Sequence, residues 1–446
     1  MNFFKMFTCI ALLALLALLA ACNQTSIEEA EAPDAPSQYY NSYIQTEIED
    51  AAAPVQTTGV LPSIYLSINA NSIHRHDWRN STVFMRNAGD YSFNQMTAQV
   101  RGRGNSTWRY MGDKRPFRVR LSQPMEMPGG SAPSTDWSFI ANTIDMTLMR
   151  TYLAYYLGEL LSGFDYSPTH SFVHVYMDGN YRGVYMISDQ MHVANGRVEI
   201  SHHPDPTLSE YFVQWCRHGR APDDVYFRVG VHNTPFQLRY PSGRRLTDGH
   251  ISFAHDFLYL VDNAMVRMDF DAITSLIDVP SFIDFYLVNE FFKNADVGFS
   301  SVFFTIRQTS TGPRLFAGPV WDFDQSAGGS YSPPWFADYS PRGAWVIHAN
   351  HWLRNFIVIP ALREQVADRW QEIRDVEIVQ MIEHMEYISV RYAACFDRNF
   401  ERWPHKLGNY VWRTPRTISA INTREEQVAH LADWFRQRAE WMDGFL

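Results

Sequence analysis

Three aspartates in the second half of the sequence have the residue type and spacing for binding a metal ion. Asp322 and Asp324 are two positions apart, so on an extended segment their carboxylates point to the same side. Asp296 precedes a predicted β-hairpin that leads the chain back to Asp322. Carboxylates supply the hard oxygen ligands that Mg²⁺ or Mn²⁺ requires. Aspartates are also common at turns, so each of the three, taken alone, also fits a structural role.

A glycine- and arginine-rich stretch in the first half carries groups suited to phosphate binding. It runs from Arg101 to Trp108 (RGRGNSTW), and a second basic stretch runs from Lys114 to Arg120 (KRPFRVR). Glycine lets the backbone approach an anion closely, while guanidinium and hydroxyl groups bind phosphate oxygens. A solvated, twisted β-turn with structural arginines has the same composition. The stretch by itself leaves both interpretations open.

The elements predicted around the basic stretches are strands, a helix and a hairpin. Alternation of apolar and polar residues predicts strands between residues 61 and 120. Apolar residues at helical spacing predict a helix over Asp145–Leu161, ended by Ser162 and Gly163. The turn Asp178-Gly179-Asn180 predicts a tight hairpin between two apolar strands, because Asp-Gly accepts positive φ angles.

The elements predicted around the aspartates are a helix and a second hairpin. The helix covers Val279–Phe292, with a proline near its start. Strands at Val302–Arg307 and Arg314–Ala317 follow, and the second strand leads into the two neighbouring aspartates. Beyond about Trp352 the pattern is helical to the end of the chain. The sequence therefore predicts an α+β fold with a mixed sheet and a helical C-terminal part.

Composition favours a large folded domain and argues against one class of partner. The chain has 446 residues, of which 46% are hydrophobic and 19% charged, so it can bury a substantial core. The formal net charge is −10, and the lysines and arginines are scattered along the chain. Binding to nucleic acid is therefore not expected.

The first residues have the pattern of an export signal. Lys5 precedes an almost wholly apolar run from Phe7 to Ala21, which is too short for a comfortable membrane span. The run ends in Leu19-Ala20-Ala21-Cys22, which resembles the lipobox of bacterial lipoproteins, where the cysteine thiol takes the lipid. An uncleaved anchor, or an ordinary cleaved signal with an incidental cysteine, is the alternative.

We therefore expect three parts: a signal peptide at residues 1–21, a lipidated flexible tether at 22–60, and a folded domain at 61–446. Acyl chains on Cys22 would hold the protein on a membrane surface of the bacterial cell envelope, either periplasmic or at the cell surface. In such a compartment Cys216 and Cys395 can form a disulfide or remain buried thiols, and their spacing does not decide between these.

Six motifs occur in an order that resembles the CotH-type kinase family, which is named for a spore-coat protein kinase. They are Arg101–Trp108, Lys114–Arg118, Trp137–Arg150, Asp178–Tyr185, Asn294–Asp296 and Gly318–Asp324. The resemblance covers the chain from about residue 61 to the C-terminus. An acidic residue, a β-hairpin and a second acidic residue also follow one another in protein kinases, at the catalytic loop and the metal-binding aspartate.

The resemblance implies an atypical protein-kinase-like fold that transfers the γ-phosphoryl group of ATP to Ser or Thr of an exported protein, with Mg²⁺ or Mn²⁺. It implies Asp296 as the base or orienting carboxylate for the acceptor hydroxyl, and Asp322 and Asp324 as metal ligands. Such a transfer requires mainly positioning and charge neutralisation. The residues implied at the nucleotide phosphates are Arg101, Arg103, Asn105, Ser106, Lys114 and Arg118, with Arg120 as a further candidate.

The sequence departs from the family pattern at two of these motifs. Ser301 stands where the family usually has an asparagine that acts as a second metal ligand, and Asp189 stands where a glutamate is frequent. A hydroxyl is a poorer ligand than an amide carbonyl for a hard dication. An impaired kinase or pseudokinase, serving as a scaffold or adhesin for envelope protein or polysaccharide, is therefore the rival hypothesis. A metal-dependent hydrolase using the same carboxylates is a third.

Overall fold

The computed structural model describes residues 59–446 except 111, 131, 218–223, 331–338, 344–349 and 412. The predicted signal peptide, Cys22 and nearly all of the predicted tether lie outside the described residues. Within the described part of the chain, no helix has both the length and the apolar character needed to cross a membrane.

The first sheet closes into a barrel with the strand order β1-β2-β3-β4-β5-β7-β6. Neighbouring strands are antiparallel, except that β1 returns parallel to β6 and closes the barrel. The strands are β1 Ser63–Leu66, β2 Arg79–Arg86, β3 Phe93–Gly102, β4 Phe117–Met125, β5 Ser134–Ile140, β6 Ser171–Met177 and β7 Asn180–Asp189.

Alternation along the strands separates the barrel core from the basic residues. On β4, Phe117 and Val119 are buried in the barrel core, and Arg118 and Arg120 between them are only half-buried. Successive side chains of a strand point to opposite faces, so these arginines lie on the outer face of the barrel. The predicted hairpin is confirmed between β6 and β7, where Gly179 has φ 75°.

The second sheet is antiparallel, with the strand order β12-β11-β8-β10-β9. The predicted hairpin of β11 and β12 is confirmed, and β12 ends three residues before Val320, in the segment that carries Asp322 and Asp324. The strands are β8 Tyr211–Trp215, β9 Val225–Val229, β10 Thr234–Tyr240, β11 Val302–Thr309 and β12 Gly312–Ala317.

Helices interrupt the strand sequence of both sheets and form the C-terminal part of the chain. The α-helices are α1 Ser106–Tyr110, α2 Arg150–Leu160, α3 Asp248–Arg267, α4 Phe270–Leu276, α5 Val279–Phe291, α6 His351–Val358, α7 Pro360–Arg374, α8 Glu377–Arg391, α9 Ala393–Arg402, α10 Arg416–Ser419 and α11 Arg424–Asp443. Short 3₁₀ turns lie at Ala70–Ser72, Gly89–Tyr91 and Gly243–Arg245. The predicted α+β class and helical C-terminal part are confirmed.

The helix predicted from Asp145 begins later, at Arg150, so the predicted start was wrong. Leu148 has φ 65°, which interrupts a right-handed helix. The carboxylate of Asp145 instead accepts hydrogen bonds from the backbone N–H groups of Thr147 (2.9 Å) and Arg150 (2.7 Å). Asp145 therefore caps α2 from the preceding turn, a role that apolar periodicity does not reveal.

The structure leaves Cys216 and Cys395 as free, buried thiols. The Sγ atom of Cys216 accepts a hydrogen bond from Ser300 at 3.5 Å, and that of Cys395 donates to the carbonyl of Gly59 at 3.4 Å. Of the two alternatives left open by the sequence, a disulfide or two buried thiols, the structure has the buried thiols.

Candidate active site

Asp296, Asp322 and Asp324 come together in the structure, although they are separated in sequence by a β-hairpin. Asp296 lies in the turn after α5, and the other two follow β12. Burial, and next the charge of Asp322, raise the pKa of Asp296 to about 7, while Arg413 opposes the shift. Two carboxylates interact in this way only when they are close neighbours.

Asp324 is the most strongly perturbed of the three acids. Burial raises the pKa of its carboxyl well above the ordinary range, and the charges of Asp322, Asp296 and Asp145 raise it further. Arg103 acts in the opposite direction. A fourth carboxylate, that of Asp145, therefore also lies within interaction range of this cluster, and a cation would relieve the mutual repulsion of these acids when they are ionised.

Among the described residues, no set of three or more His, Cys, Asp and Glu side chains is arranged closely enough to hold a metal ion. Magnesium in phosphoryl-transfer sites is commonly held by one or two carboxylates together with substrate phosphates and water. The acids fit that kind of partial ligand set. Two buried nitrogen atoms of the basic stretches, Arg101 Nε and Lys114 Nζ, also have no hydrogen-bond partner within the described chain.

Arg103 is the predicted phosphate-binding residue that reaches the aspartates. Its guanidinium lies 5.6 Å from the ring centroid of Trp321, next to Asp322 in sequence, and its charge lowers the pKa of Asp324. The last residue of β3, just before it, must be glycine, because a Cβ on Gly102 would lie 2.3 Å from the ring of Trp108. The end of β3 therefore packs directly against α1 at the point where Arg103 leaves the barrel.

Arg101 and Arg118 lie side by side in a different cluster, on the outer face of the barrel. The two residues pair across β3 and β4, and with Arg120 they surround the ring of Trp78 at 4.9, 5.6 and 4.4 Å. Asp136 binds Arg118 at 2.9 Å and Arg120 at 3.4 Å. Burial lowers the pKa of Arg118 to about 10. This cluster has three guanidinium groups and one carboxylate.

Lys114 is buried between the barrel and the C-terminal helices. Its Nζ lies 5.3 Å from the ring centroid of Tyr185, and a Cβ on Gly183 would lie 3.3 Å from its Cε. Burial, and next the charge of Lys406, lower the pKa of Lys114 to about 7, whereas Asp145 raises it. The acid whose charge acts on Lys114 is thus the one that caps α2.

Asn105 and Ser106 lie at the start of α1. The side-chain oxygen of Asn105 accepts a hydrogen bond from Arg75, and its backbone carbonyl accepts one from Arg109 at 3.2 Å. Ser106 is the first residue of the helix and is half-buried. Asn105 therefore contacts the β1–β2 segment and its own helix rather than the aspartates, so the predicted phosphate-binding residues separate into several groups.

Ser301 contacts one of the predicted metal ligands directly. Its Oγ donates a hydrogen bond to Asp322 Oδ2 at 3.0 Å. Ser301 and Asp322 both have left-handed backbones, with φ 63° and φ 68°. Non-glycine residues adopt this conformation rarely, and such strain is concentrated at functional sites.

Gln325 and Arg413 also belong to the site, although the sequence analysis did not identify them. Gln325 Nε2 donates to Asp296 Oδ2 at 3.2 Å, and Arg413 Nη1 donates to Gln325 Oε1 at 3.5 Å. Gln325 directly follows Asp324, so its adjacency was a usable signal. Arg413 is 88 positions from Gln325, and no local pattern indicates it.

Arg150, also missed as a site residue, ties α2 to the segment after the aspartates. Its Nε donates to the carbonyl of Ser326 at 3.1 Å, and its Nη2 donates to that of Ala327 at 3.3 Å. Its Nη1 pairs with Asp145. A Cβ on Gly329 would lie 2.6 Å from Arg150 Nε, so the loop packs against the guanidinium.

A cavity of about 750 Å³ lies elsewhere in the molecule and is lined by none of the predicted site residues. Its lining includes Glu159, Thr169, Arg197 and Arg307. The converging charges and the perturbed pKa values identify the aspartate cluster, rather than this cavity, as the candidate active site.

Comparison with known proteins shows the family of the chain. A family model described as CotH kinase protein matches residues 100–442, a span that contains all three aspartates and both basic stretches. No curated protein matches the chain. Because the model covers most of the sequence, the chain belongs to the CotH kinase protein family.

Proposed function

We propose that this chain is an exported, lipid-anchored kinase that transfers the γ-phosphoryl group of ATP to a Ser or Thr hydroxyl of an exported protein. The observation that chiefly supports the proposal is the convergence of Asp296, Asp322 and Asp324, each from the position that the family's motifs assign to it. Membership of a kinase family implies ATP and a divalent metal ion in general terms.

Asp296 would accept the proton of the acceptor hydroxyl. A general base works best when its pKa is near the operating pH, and the pKa of Asp296 is raised to about 7. Its backbone N–H donates to Asn294 Oδ1 at 3.1 Å, which fixes the turn that carries it. One carboxylate oxygen, Oδ2, is held by Gln325, and the other is the one assigned to the acceptor hydroxyl.

Asp322 and Asp324 would hold Mg²⁺ or Mn²⁺, with Ser301 at the edge of the same site. A bound dication would neutralise phosphate charge and favour the ionised form of Asp324. Without a cation, the raised pKa of Asp324 reflects the cost of placing several carboxylates together in a poorly solvated site. Ser301 Oγ steers Asp322 through its hydrogen bond.

The phosphates would be bound by Arg103 beside these acids, with Arg101 and Arg118 as further candidates in the separate cluster around Trp78. Arg103 is the best placed, because it already acts on Asp324. Arg101 carries a buried Nε without a hydrogen-bond partner in the described chain, and it belongs to a cluster whose three guanidinium groups exceed its one carboxylate. Such groups bind phosphate oxygens in paired hydrogen bonds. Arg118, on β4, belongs to the same outer-face cluster as Arg101.

Export and anchoring rest on the N-terminal sequence. The apolar run that ends in Cys22 supports a signal peptide and a lipidated tether, and a tethered enzyme would meet acceptors in the envelope. The rival role of a silent scaffold or adhesin has no comparable support, because the three acids that a kinase requires are all present and close together.

The test is incubation of the full-length chain, purified in detergent, with labelled ATP and Mn²⁺, followed by mass mapping of phosphosites on the protein itself. We expect phosphosites with the wild type and none with Asp296→Asn or Asp322→Asn. Asp256→Asn is the matched control, because Asp256 is exposed on α3. Equal labelling of all four proteins would contradict the proposal, and phosphate release without phosphosites would indicate the hydrolase.

A further inference from the structure

The side chain of Gln325 lies between Asp296 and Arg413. It is 7% exposed, and both ends of its amide are engaged: Nε2 with Asp296 Oδ2 at 3.2 Å, and Oε1 with Arg413 Nη1 at 3.5 Å. Arg413 belongs to the segment that precedes α10, so this contact joins the C-terminal part of the chain to the aspartate cluster.

The chemistry of the three groups allows one orientation of the amide. A guanidinium has only donors and an ionised carboxylate has only acceptors, whereas an amide has an acceptor at one end and donors at the other. The reversed amide would place N–H groups against Arg413 and an oxygen against Asp296, which are two repulsive contacts. Arg413 therefore sets which end of Gln325 faces the carboxylate.

The backbone around Gln325 is tied to the segment that carries Asp296. The N–H of Ala295 donates to the carbonyl of Gln325 at 3.4 Å, and the N–H of Ala327 donates to the carbonyl of Phe292 at 2.6 Å. Backbone hydrogen bonds therefore join the two loops next to the contact between the amide and Asp296.

We propose that Gln325 is a positioning residue for Asp296, and that Arg413 acts through it by holding its amide in the productive orientation. The hydrogen bond to Oδ2 turns the carboxylate so that Oδ1 faces the acceptor hydroxyl. This inference rests on the proposed function for its catalytic meaning, but the contact itself does not depend on activity. Misplacing a reacting group by about 1 Å can cost a rate factor of the order of 100.

The kinetic test compares four variants in the labelled-ATP assay. In Gln325→Leu, kcat should fall by about 10-fold to 100-fold, while the KM for ATP changes by less than about twofold. Arg413→Met should give a smaller loss, and Arg413→Lys should retain most activity because a donor-only cation remains. Arg416→Met, at an exposed arginine on α10, is the control.

The double variant Gln325→Leu/Arg413→Met discriminates most sharply. If Arg413 acts through Gln325, the double variant should be no slower than Gln325→Leu alone at a pH high enough to ionise Asp296 in every variant, where the direct effect of the Arg413 charge on that carboxyl no longer contributes. The proposal would be overturned if the reduction of kcat in the double variant equalled the product of the reductions in the two single variants. A Gln325→Leu variant with wild-type kcat would also overturn it. Thermal unfolding of every variant separates these effects from loss of folded protein.

A second measurement needs no catalysis. In the full-length chain labelled with ¹⁵N at glutamine, the side-chain amide signal that disappears in Gln325→Leu should shift in Asp296→Asn and in Arg413→Met, and should not shift in Arg416→Met. If the signal shifts in neither Asp296→Asn nor Arg413→Met, the proposed contacts of Gln325 with these two residues are wrong. An inactive wild type with the expected shifts would instead count against the proposed function alone.

Discussion

The hydroxyl of Ser301 donates a 3.0 Å hydrogen bond to Asp322 Oδ2, at the position where the sequence resemblance implies an asparagine. The residue has φ 63°, a left-handed conformation that asparagine adopts more readily than serine. The backbone at this position is therefore already suited to the family's usual residue, although the side chain is shorter.

The first prediction follows from that geometry. Ser301→Asn should bind Mn²⁺ in the presence of ATP roughly threefold to tenfold more tightly, because an amide oxygen is a better ligand for a hard cation than a hydroxyl. Titration calorimetry measures the affinity. Ser301→Ala is the matched control and should bind more weakly than the wild type, and identical affinities for the Asn and Ala variants would contradict the prediction.

A second prediction concerns Asp296 and pH. An aspartate in the unfolded chain ionises near pH 3.9, whereas the folded protein raises the pKa of Asp296 to about 7. The folded state thus holds the proton more tightly, so this group lowers the free energy of unfolding as pH rises from about 4 to 7, and the full loss is present above pH 7.

Asp296→Asn should remove this decrease of the free energy of unfolding with rising pH. Its free energy of unfolding at pH 8 should exceed that of the wild type by roughly 2–4 kcal/mol, and the difference should shrink towards pH 4. Urea unfolding at the two pH values measures it. If the variant is less stable than the wild type at pH 8, Asp296 is not held at a destabilising site.

Lys114 gives the third prediction, with the opposite slope. Its pKa is lowered to about 7 in the folded protein, and an unfolded lysine titrates near 10.4. Between these values the unfolded chain binds one more proton, so this residue makes the free energy of unfolding rise with pH, by roughly 2–3 kcal/mol from pH 7 to 9.

Lys114→Met should lack this rise and should be more stable than the wild type at pH 7, since it removes a buried amine without a hydrogen-bond partner in the described chain. Urea unfolding at pH 7 and 9 tests it. Parallel pH dependences for the two proteins would show that the ammonium is better solvated than its burial indicates.

A fourth prediction separates the basic residues. Arg103→Met should weaken ATP binding in the presence of Mn²⁺ about 10-fold to 100-fold, because a charged hydrogen bond to phosphate contributes about 1.5–3 kcal/mol. Arg228→Met, at an exposed arginine of β9, is the control. Calorimetry that finds equal affinities for both variants would place the phosphates away from Arg103.

The sequence predicted the local elements of this site and the order in which they meet. The Asp178-Gly179 turn specified the β6–β7 hairpin through its own backbone preference. The hairpin between Asp296 and Asp322 brought distant acids together because antiparallel neighbours must return the chain. Both features depend on short stretches of sequence, which periodicity and turn chemistry describe well.

Long-range contacts could not be predicted in this way. Closure of the barrel depends on the parallel pairing of β1 with β6, and the orientation of Gln325 depends on Arg413. Neither contact leaves a local pattern. The single group of phosphate-binding residues expected from two basic stretches is divided in the structure, because strand alternation places Arg118 beside Trp78 while Lys114 is buried near Tyr185.

The most direct measurement is anomalous diffraction from crystals of the protein grown with Mn²⁺ and a non-hydrolysable ATP analogue. We expect a manganese peak within coordination distance of Asp322 and Asp324, about 2.0–2.3 Å, with the terminal phosphate between that ion and Asp296. A manganese ion bound elsewhere, or a nucleotide whose terminal phosphate faces away from Asp296, would contradict the account.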